Sequence, residues 1–569
     1  MKIIVVFVLC LYTIYATSNT KAIDDWDTNI TKKVQDSLQQ KSLTPMLTSV
    51  AMPTPELSKM APRKLGLSVG GAKDSDNFIQ NIKNGYLPKL KSITYEGVFY
   101  DHYFDMGDTA TCKDIFCPTY SYTKSKNIYD ESDEYYLSVG LASGMDMKDF
   151  KRDKLNLVVV LDVSGSMGAS FDRYYYDKKN SHKKHKTKMQ IANETLIAMT
   201  RHLKDEDNFG VVLFDDLAYP VKPLRKVAYT DMDAIREHIS DIKAMGGTNW
   251  SAGYKEALRY FNKVSKKGYE NRIIFITDAM PNRGELSKDR LFGMAKDASK
   301  KGIHTTFIGV GVDFNTDLVD YVSKIKGANY YSIHSSKEFA KRMDKEFEYM
   351  VTPLVYDLKL SMKSKDFEVV GIYGVPKASL STKNIIDIDT LFASDSSDKG
   401  EKGGVILLKL KKISKGDNII LDLSYKDKSN KSYNIQKSIS LSKDKSNSGL
   451  QKAIVLSNYV TLMQNWLIDA RAGCNDELEY FKISYDVIVQ KCMIYPPLNP
   501  NYHYIKTWER RSCKLKVSDG YKKLFRYFRN YYKAQMQQLK DKSMKKELEV
   551  LNILIKDNLS IIDDYNDIR

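Results

Sequence analysis

The sequence predicts an α/β fold in which a doubly wound, mainly parallel sheet is flanked by β-rich segments and followed by a C-terminal helical region. Between residues 154 and 352, short apolar runs alternate with longer segments of helical periodicity. This alternation produces parallel strands covered by helices, with a ligand crevice at the carboxyl ends of the strands. The chain has 569 residues, so about two to four domains are expected. The predicted strands are 157–161, 209–214, 273–277, 304–309 and 329–333, and the predicted helices are 188–203, 251–264, 288–300, 316–325 and 336–349.

The chain begins with a segment typical of a secretory signal. Residues 1–16 contain Lys2, an apolar stretch, and Ala16 as a small residue suited to cleavage. We therefore expect an exported protein, secreted or extracellular, or periplasmic if the source is bacterial. No later apolar run is long enough to cross a bilayer, so no transmembrane span is expected in the mature chain. Residues 17–63 are polar and contain prolines, which predicts an extended or weakly ordered leader.

Two β-rich segments, 64–153 and 353–444, lie on either side of the α/β region. The first is predicted to contain a helix through 78–87 and strands at 93–100 and 134–141. The second is predicted to contain strands at 355–360, 404–410 and 418–423. Because a sheet needs partners to bury a face, we expect both segments to form one β-sandwich into which the α/β domain is inserted.

The last region, 445–569, predicts helices at 449–470 and 519–556. The second of these carries an aromatic stripe at helical spacing between Tyr521 and Leu539. One interpretation is a basic face for a membrane or a nucleic acid. The other, which we favour, is a core-facing stripe with a basic solvent side.

The formal net charge of +17 results from lysines spread along the whole chain. A positive charge favours acidic partners such as polyanionic glycans. No zinc-finger, RNA-recognition or helix-turn-helix pattern accompanies it, so no nucleic acid is expected as a partner.

Cysteines and glycosylation sequons add expectations that depend on export. Cys112 and Cys117 enclose a short loop and form the most natural disulfide pair. The connectivity of the other cysteines stays open, with buried free thiols as the alternative, for Cys474, Cys492 and Cys513. Sequons occur at Asn29, Asn193, Asn430 and Asn558. Another, at Asn249, lies beside the candidate site described next, so it is either unused or the host does not N-glycosylate.

A group of oxygen-bearing side chains follows the predicted strands. Asp162, Ser164 and Ser166 come directly after the apolar run 157–161, and Asp278 ends the apolar run 273–277. A turn with no metal is the alternative interpretation of the serines alone. The segment 246–250, with Thr248, could complete the cluster. Oxygen ligands, few of them charged, suit a hard divalent cation: we expect Mg²⁺ first, with Mn²⁺ or Ca²⁺ as alternatives.

The α/β region with these loops resembles a von Willebrand factor type A domain. The resemblance implies that Asp162, Ser164, Ser166, Thr248 and Asp278 match that family's metal-ion-dependent adhesion site. The wider chain resembles secreted calcium-activated chloride channel homologues and, more loosely, inter-alpha-trypsin inhibitor heavy chains. The residues that carry this wider resemblance are 84–88, 93–97 and 508–510. By the same analogy, the helix 336–349 is expected to shift when a ligand enters.

A long loop follows the first candidate ligands and is expected to lie beside the metal face. Tyrosines and lysines are favoured contact residues for acidic partners, and a solvated insertion is the alternative. The candidate contact residues are Tyr174, Tyr175, Tyr176, Lys183 and Lys184.

No enzyme motif supports catalysis: His-Glu-x-x-His, the nucleophile elbow and a phosphate loop are all absent from the sequence. We therefore expect an exported, non-enzymatic adhesion protein whose cation binds an Asp or Glu of a protein ligand. The alternatives are a structural or assembly protein with an intramolecular or homotypic contact at the metal site, and an extracellular regulator of transport.

Overall fold

The structure is a computed structural model that describes residues 22–31, 63–107, 113–175, 186–278, 281–376, 384–472 and 511–556. The predicted signal, residues 1–16, lies outside the described residues. Part of the predicted leader is described and is packed against the α/β domain. Trp26 is buried and its ring stacks on His238 at 5.5 Å, while Ile23 forms backbone hydrogen bonds with Tyr229 and Asp231. Residues 22–31 of the predicted leader thus pack against the α/β domain, and the other residues of the leader up to 62 lie outside the described residues.

Before the α/β region, the elements are β1 (Lys64–Val69), β2 (Gly71–Ala72), α1 (Asp76–Lys83), α2 (Tyr95–Tyr100), β3 (Tyr103–Phe104), β4 (Cys117–Lys126) and β5 (Asp133–Asp146). The prediction of a strand at 93–100 is wrong. Thr94 Oγ1 accepts a hydrogen bond from Gly97 N and starts α2, whose Val98 and Phe99 are buried. The aromatic and β-branched residues suggested a strand, but the N-cap and burial on a helical face override that preference.

The α/β alternation predicted from the sequence is confirmed. The elements are β6 (Lys154–Asp162), α3 (Lys188–Thr200), β7 (Asn208–Phe214), β8 (Ala218–Lys226), α4 (Met232–Ser240), α5 (Trp250–Tyr260), β9 (Tyr269–Thr277), α6 (Lys288–Lys300), β10 (Ile303–Val310), α7 (Asp317–Val322), β11 (Asn329–Ile333) and α8 (Ser336–Met350). The sheet has the order β2-β11-β10-β9-β6-β7-β8. Neighbouring strands are parallel except β7 and β8, which are antiparallel. The sequence did not predict β8 or α4.

Helices cover both faces of this sheet, because successive residues of β6 point to opposite sides. Leu157 and Val159 pack with residues of α3, α4 and α8 on one face. Val158 and Val160 pack with residues of α5, α6 and α7 on the other. The strand ends at Asp162 and at Thr277 therefore stand at the same edge of a rigid, doubly covered sheet.

After the α/β region, the strands are β12 (Pro353–Lys363), β13 (Phe367–Tyr373), β14 (Asn384–Ser394), β15 (Ser396–Ser397), β16 (Gly400–Lys402), β17 (Val405–Lys412), β18 (Asn418–Asp427) and β19 (Ser432–Ser440). Six of them, β12, β13, β14, β17, β18 and β19, share a nine-stranded sheet with β1, β4 and β5, in the order β13-β17-β5-β1-β14-β12-β18-β19, with β4 also paired to β5. The short strands β15 and β16 form a separate three-stranded sheet with β3. Leu137 of β5 pairs with Leu408 of β17, and Leu67 of β1 pairs with Ala393 of β14. The two β-rich segments thus form one sheet, and the α/β domain is inserted between them.

The C-terminal helices are α9 (Ser448–Arg471), α10 (Asp519–Gln538) and α11 (Lys545–Leu554). The predicted helix 519–556 is thus divided, and Lys540 has a positive φ of 50° at the division. Phe525, Phe528 and Tyr532 are buried, and the ring of Phe525 contacts Trp466 of α9 at 5.7 Å, so the aromatic stripe faces the core. Within the described ranges, no helix is long and apolar enough to cross a membrane.

A buried charged cluster joins α8 to the first β-rich segment. Arg342 donates to Asp74 at 3.2 Å, to Glu346 at 3.1 Å and to the Lys73 carbonyl. Glu346 also accepts hydrogen bonds from Tyr100, at 3.2 Å, and from Lys402. A shift of the helix 336–349 along its axis, as expected from the analogy, would have to break these contacts.

Glu346 gives this cluster a definite pH dependence. Its burial would raise its pKa, but Arg342 and Lys402 outweigh burial and lower the pKa to about 2. Because the pKa of Glu346 is lower in the folded chain than its ordinary value of 4.5, its ionised carboxylate stabilises the fold above pH 4.5. This contribution is lost as the pH falls towards 2. Between pH 5 and pH 3, urea unfolding of the wild type should therefore lose about 2 kcal/mol more than unfolding of Glu346→Gln. Parallel losses in the two proteins would contradict this assignment.

Candidate metal centre

The first loop of the candidate site follows β6 without a break. Asp162 is buried, and its carboxylate is oriented by two donors: Ser164 N at 2.9 Å from Oδ1 and Thr277 Oγ1 at 2.6 Å from Oδ2. The Ser164 and Ser166 hydroxyls are hydrogen-bonded to each other at 3.1 Å. A 3₁₀ turn, Gly165–Gly168, carries the second serine. The loop therefore presents one carboxylate and two hydroxyls together.

Backbone hydrogen bonds tie the second loop to the first. Gly165 N donates to Gly246 O at 3.0 Å, and Met245 N donates to Val163 O at 2.5 Å. Gly246 has a φ of +71°, and a Cβ there would lie 2.6 Å from Asp215 Oδ2, so only glycine fits this turn without strain. Thr248 lies two residues after Gly246, so this turn places it beside the first loop.

The third loop is tied to the second in the same way. Thr248 N donates to Asn282 Oδ1 at 2.9 Å, and Thr248 O accepts from Asn282 N and Arg283 N at 3.0 and 3.1 Å. These bonds fix the loop that follows Asp278. The structure thus brings together the three loops that carry all five predicted ligands, Asp162, Ser164, Ser166, Thr248 and Asp278.

Asp278 provides the clearest test of whether these residues fit a cation. Its carboxylate is 0% exposed, and Oδ2 accepts from Lys188 Nζ at 3.0 Å. Oδ1 has no hydrogen-bond partner among the described residues. A buried carboxylate oxygen without a partner is costly, and a cation bound to it would remove that cost. The oxygen-only donor set therefore fits a hard divalent cation.

Hydroxyl oxygens are essential to any such coordination. In the parts of the chain that the structure describes, no three His, Cys, Asp or Glu side chains form a cluster that could hold a metal. The serines and Thr248 would have to complete a coordination sphere begun by Asp162 and Asp278.

The electrostatics of the site favour the binding of a cation. Burial, together with the nearby Asp278, raises the pKa of Asp162 to about 7. Burial also raises the pKa of Asp313 to about 6, although Lys188 opposes the rise. Burial alone would lower the pKa of Lys188, but Asp278 and Asp313 outweigh it and raise the pKa, so this lysine is a buried cation. The sequence analysis did not single out Lys188 or Asp313.

The long loop beside the site is described as far as Tyr175. Tyr175 is 43% exposed, and its hydroxyl lies 4.0 Å from where a Cβ on Gly165 would stand. Tyr174 is only 7% exposed, and its hydroxyl donates to Asn81 at 2.9 Å. The expectation that Tyr174 contacts a ligand is therefore wrong, because this ring anchors the loop to α1. The candidates Tyr176, Lys183 and Lys184 lie outside the described residues.

The asparagines of two sequons make structural hydrogen bonds. Asn193 is buried in α3 and donates to Ile242 O at 2.9 Å, so the prediction of a glycan there is wrong for the folded chain. Asn249 Oδ1 accepts from Ala252 N and caps α5, while its amide donates to Asp216 O at 3.1 Å. Asn29 and Asn430 are exposed, and Asn558 lies outside the described residues.

Of the predicted disulfide pair Cys112–Cys117, only Cys117 lies within the described residues. Cys117 is disulfide-bonded, and so is Cys513. Cys112, Cys474 and Cys492 lie outside the described residues, so the Cys112–Cys117 pairing stays a prediction.

Comparison with known proteins agrees with the resemblance noted from the sequence. Residues 157–281 match the family model of the von Willebrand factor type A domain. Uncharacterized protein YfbK of Escherichia coli K12 is 24% identical over 220 residues, covering 38% of this chain and 35% of that protein. Mouse inter-alpha-trypsin inhibitor heavy chain H2 is 23% identical over 215 residues, covering 36% of this chain and 21% of that protein. The matched region thus covers about a third of the length of YfbK and about a fifth of the length of heavy chain H2.

A solved von Willebrand factor type A structure from Catenulispora acidiphila is 15% identical, with a TM-score of 0.39, covering 73% of this chain and 97% of that chain. Domains of this family are generally non-enzymatic protein-interaction domains, and they commonly bind a divalent cation.

Proposed function

We propose that this chain, whose central region is a von Willebrand factor type A domain, binds a divalent cation and, through it, an acidic residue of a protein ligand. The observation that carries the proposal is the buried Asp278 Oδ1, which has no hydrogen-bond partner among the described residues and belongs to the same loop cluster as Asp162. We assign Asp162, Ser164, Ser166, Thr248 and Asp278 as the residues that hold the cation, with Mg²⁺ as the first choice.

The site's own residues explain why binding should depend on the cation. Asp162 and Asp278 are buried like charges, which would repel a carboxylate brought near them. The cation, once bound, supplies attraction for an incoming carboxylate in a position that the five side chains leave open. Ser164 N and Thr277 Oγ1 keep Asp162 in one orientation, so little reorganisation is needed when the ion binds.

The rim offers further contacts for a protein ligand. Tyr175 and Leu217 are exposed. Tyr175 lies in the long loop after β6, and Leu217 lies in the loop between β7 and β8. Arg283 forms an ion pair with Asp216 at 2.5 Å and is itself 62% exposed. An aromatic, an aliphatic and a cationic side chain at the edge of the site suit a protein surface that carries an acidic residue. Export, and an extracellular or periplasmic site of action, remain part of the proposal.

The experiment is capture of partners from the protein's native extracellular material by the full chain. Capture in Mg²⁺ should be lost in EDTA and lost with Asp162→Ala, because both remove the charge that attracts a carboxylate. Asp233→Ala is the matched control, since Asp233 is 92% exposed on α4 of the same domain and should leave capture unchanged. Capture indifferent to EDTA and to Asp162→Ala would refute the proposal, and self-association that depends on both would favour the homotypic alternative.

A further inference from the structure

Lys188 is a fully buried cation within the candidate metal centre. It is the first residue of α3, it is 0% exposed, and its Nζ lies 3.0 Å from Asp278 Oδ2 and 2.7 Å from Asp313 Oδ1. Both carboxylates are also 0% exposed. A buried ammonium is costly unless it is paired, so two carboxylates are needed to keep it there.

The surrounding backbone is shaped to admit this side chain. Thr187 and Gln190 form a capping box that fixes the start of α3, and Lys188 N donates to Ala169 O at 2.9 Å. Gly311, just after β10, has a φ of +91°, and a Cβ there would lie 2.8 Å from Lys188 Cε. A side chain at position 311 would therefore collide with the lysine stem. The conformation of that loop and the path of the lysine fit each other.

Lys188 offsets part of the negative charge of the site. The site holds the buried carboxylates of Asp162, Asp278 and Asp313 and the one buried ammonium of Lys188. Asp215, another buried acid nearby, accepts from neutral donors, Leu217 N and the Tyr219 hydroxyl, both at 2.9 Å. Removing Lys188 would therefore make the site more negative by one unit, and removing one carboxylate as well would restore its net charge.

Asp313 extends the same cluster to the protein surface. Its Oδ2 accepts a hydrogen bond from Tyr175 N at 3.0 Å. Tyr175 is the exposed tyrosine next to the first metal loop, so a single carboxylate links the buried lysine to the rim.

We propose that Lys188 and Asp313 act as a positioning pair for the metal centre. Asp313 takes up the charge of Lys188, Lys188 holds Asp278 so that Oδ1 is left for the cation, and the ammonium limits the negative charge of the site, which favours a divalent over a trivalent ion. This inference rests on the proposed function, because it concerns the same five ligands. The pair is not part of the assigned ligand set, and its role is selectivity between ions of different charge.

The test compares Mg²⁺ with Tb³⁺ as probes on the full chain, using calorimetry and Tb³⁺ luminescence. Lys188→Met makes the site more negative by one charge and should shift the ratio of the Mg²⁺ Kd to the Tb³⁺ Kd in favour of Tb³⁺ by about tenfold or more. The double variant Lys188→Met/Asp313→Asn restores the net charge of the wild type and should return the ratio to within about threefold of the wild type. Lys186→Met is the control, since Lys186 pairs with Glu194 at the surface and should change nothing.

The outcomes separate this inference from the proposed function. If the wild type binds neither ion, the proposed function fails. If the wild type binds Mg²⁺ but Lys188→Met discriminates between the ions as the wild type does, only the positioning role fails. If Lys188→Met does not fold, the double variant decides the question. A double variant that is folded by circular dichroism and has wild-type selectivity supports the positioning role. A double variant that is unfolded, or that has altered selectivity, overturns it.

Discussion

Asp162→Asn is expected to abolish the stabilisation of this protein by Mg²⁺. At a Mg²⁺ concentration 100 times its Kd, the wild type should gain about 2.7 kcal/mol in the free energy of unfolding, because the ion binds only the folded chain. The variant should gain nothing measurable, since it lacks one of the two carboxylates that the ion neutralises. Urea unfolding of both proteins, with Mg²⁺ and with EDTA, measures the difference.

The same variant should behave differently when the metal is removed. In EDTA, the free energy of unfolding of Asp162→Asn should equal that of the wild type or exceed it by up to about 3 kcal/mol, because one of two neighbouring buried charges is gone. The Asn carbonyl can still accept from Ser164 N, so the loop keeps one of its two donors. Equal stabilisation of both proteins by Mg²⁺, or a large loss of stability of the variant in EDTA, would contradict the assignment.

Arg342→Met is expected to be among the most destabilising single substitutions in the chain. Arg342 bonds Asp74, Glu346 and the Lys73 carbonyl, and Asp74 is itself buried. Removing one partner from a buried ionic cluster leaves unpaired charges, at a cost of about 3–5 kcal/mol. Chemical unfolding monitored by circular dichroism measures this cost.

Arg290→Met provides the matched control for Arg342→Met. Arg290 lies on α6, is 79% exposed and pairs with Glu285 at 3.1 Å. Exposed pairs contribute about 0–1 kcal/mol, so this change should have little effect. Similar losses for the two variants would show that the cluster between α8 and the β-rich segment is not a special source of stability. The same contacts mean that a ligand-driven shift of α8, expected from analogy alone, would have to break them.

Much of the α/β domain could be predicted from sequence because buried parallel strands are continuous apolar runs. The run 157–161 became the centre of β6, and the run 273–277 became the end of β9. The edge strand β8 was missed because it contains prolines and charges, which an edge strand tolerates. The 93–100 segment was mistaken because its aromatic residues are buried on a helix, which composition cannot distinguish from a strand.

The convergence of the first and third metal loops could also be predicted, because the parallel strands β6 and β9 place their carboxyl ends at one edge. The second loop connects α4 to α5, so strand topology alone does not place it. Lys188 and Asp313 could not be predicted: they are 125 positions apart, and only the fold brings them together. One signal was present, namely a lysine at the first position of the predicted helix 188–203, the first helix after Asp162, Ser164 and Ser166. Tyr174 and Asn193 were mistaken for surface residues because burial by a distant element leaves no local pattern in the sequence.

The most direct measurement of the central claim is a titration of the metal-free full chain with Mn²⁺, followed by the electron paramagnetic resonance signal of free Mn²⁺. The proposal predicts one bound ion per chain, displaced by excess Mg²⁺ and lost in Asp278→Asn. This variant removes the carboxylate of Asp278, whose Oδ1 has no hydrogen-bond partner among the described residues. No bound Mn²⁺ in the wild type, or the same number bound by Asp278→Asn, would contradict it.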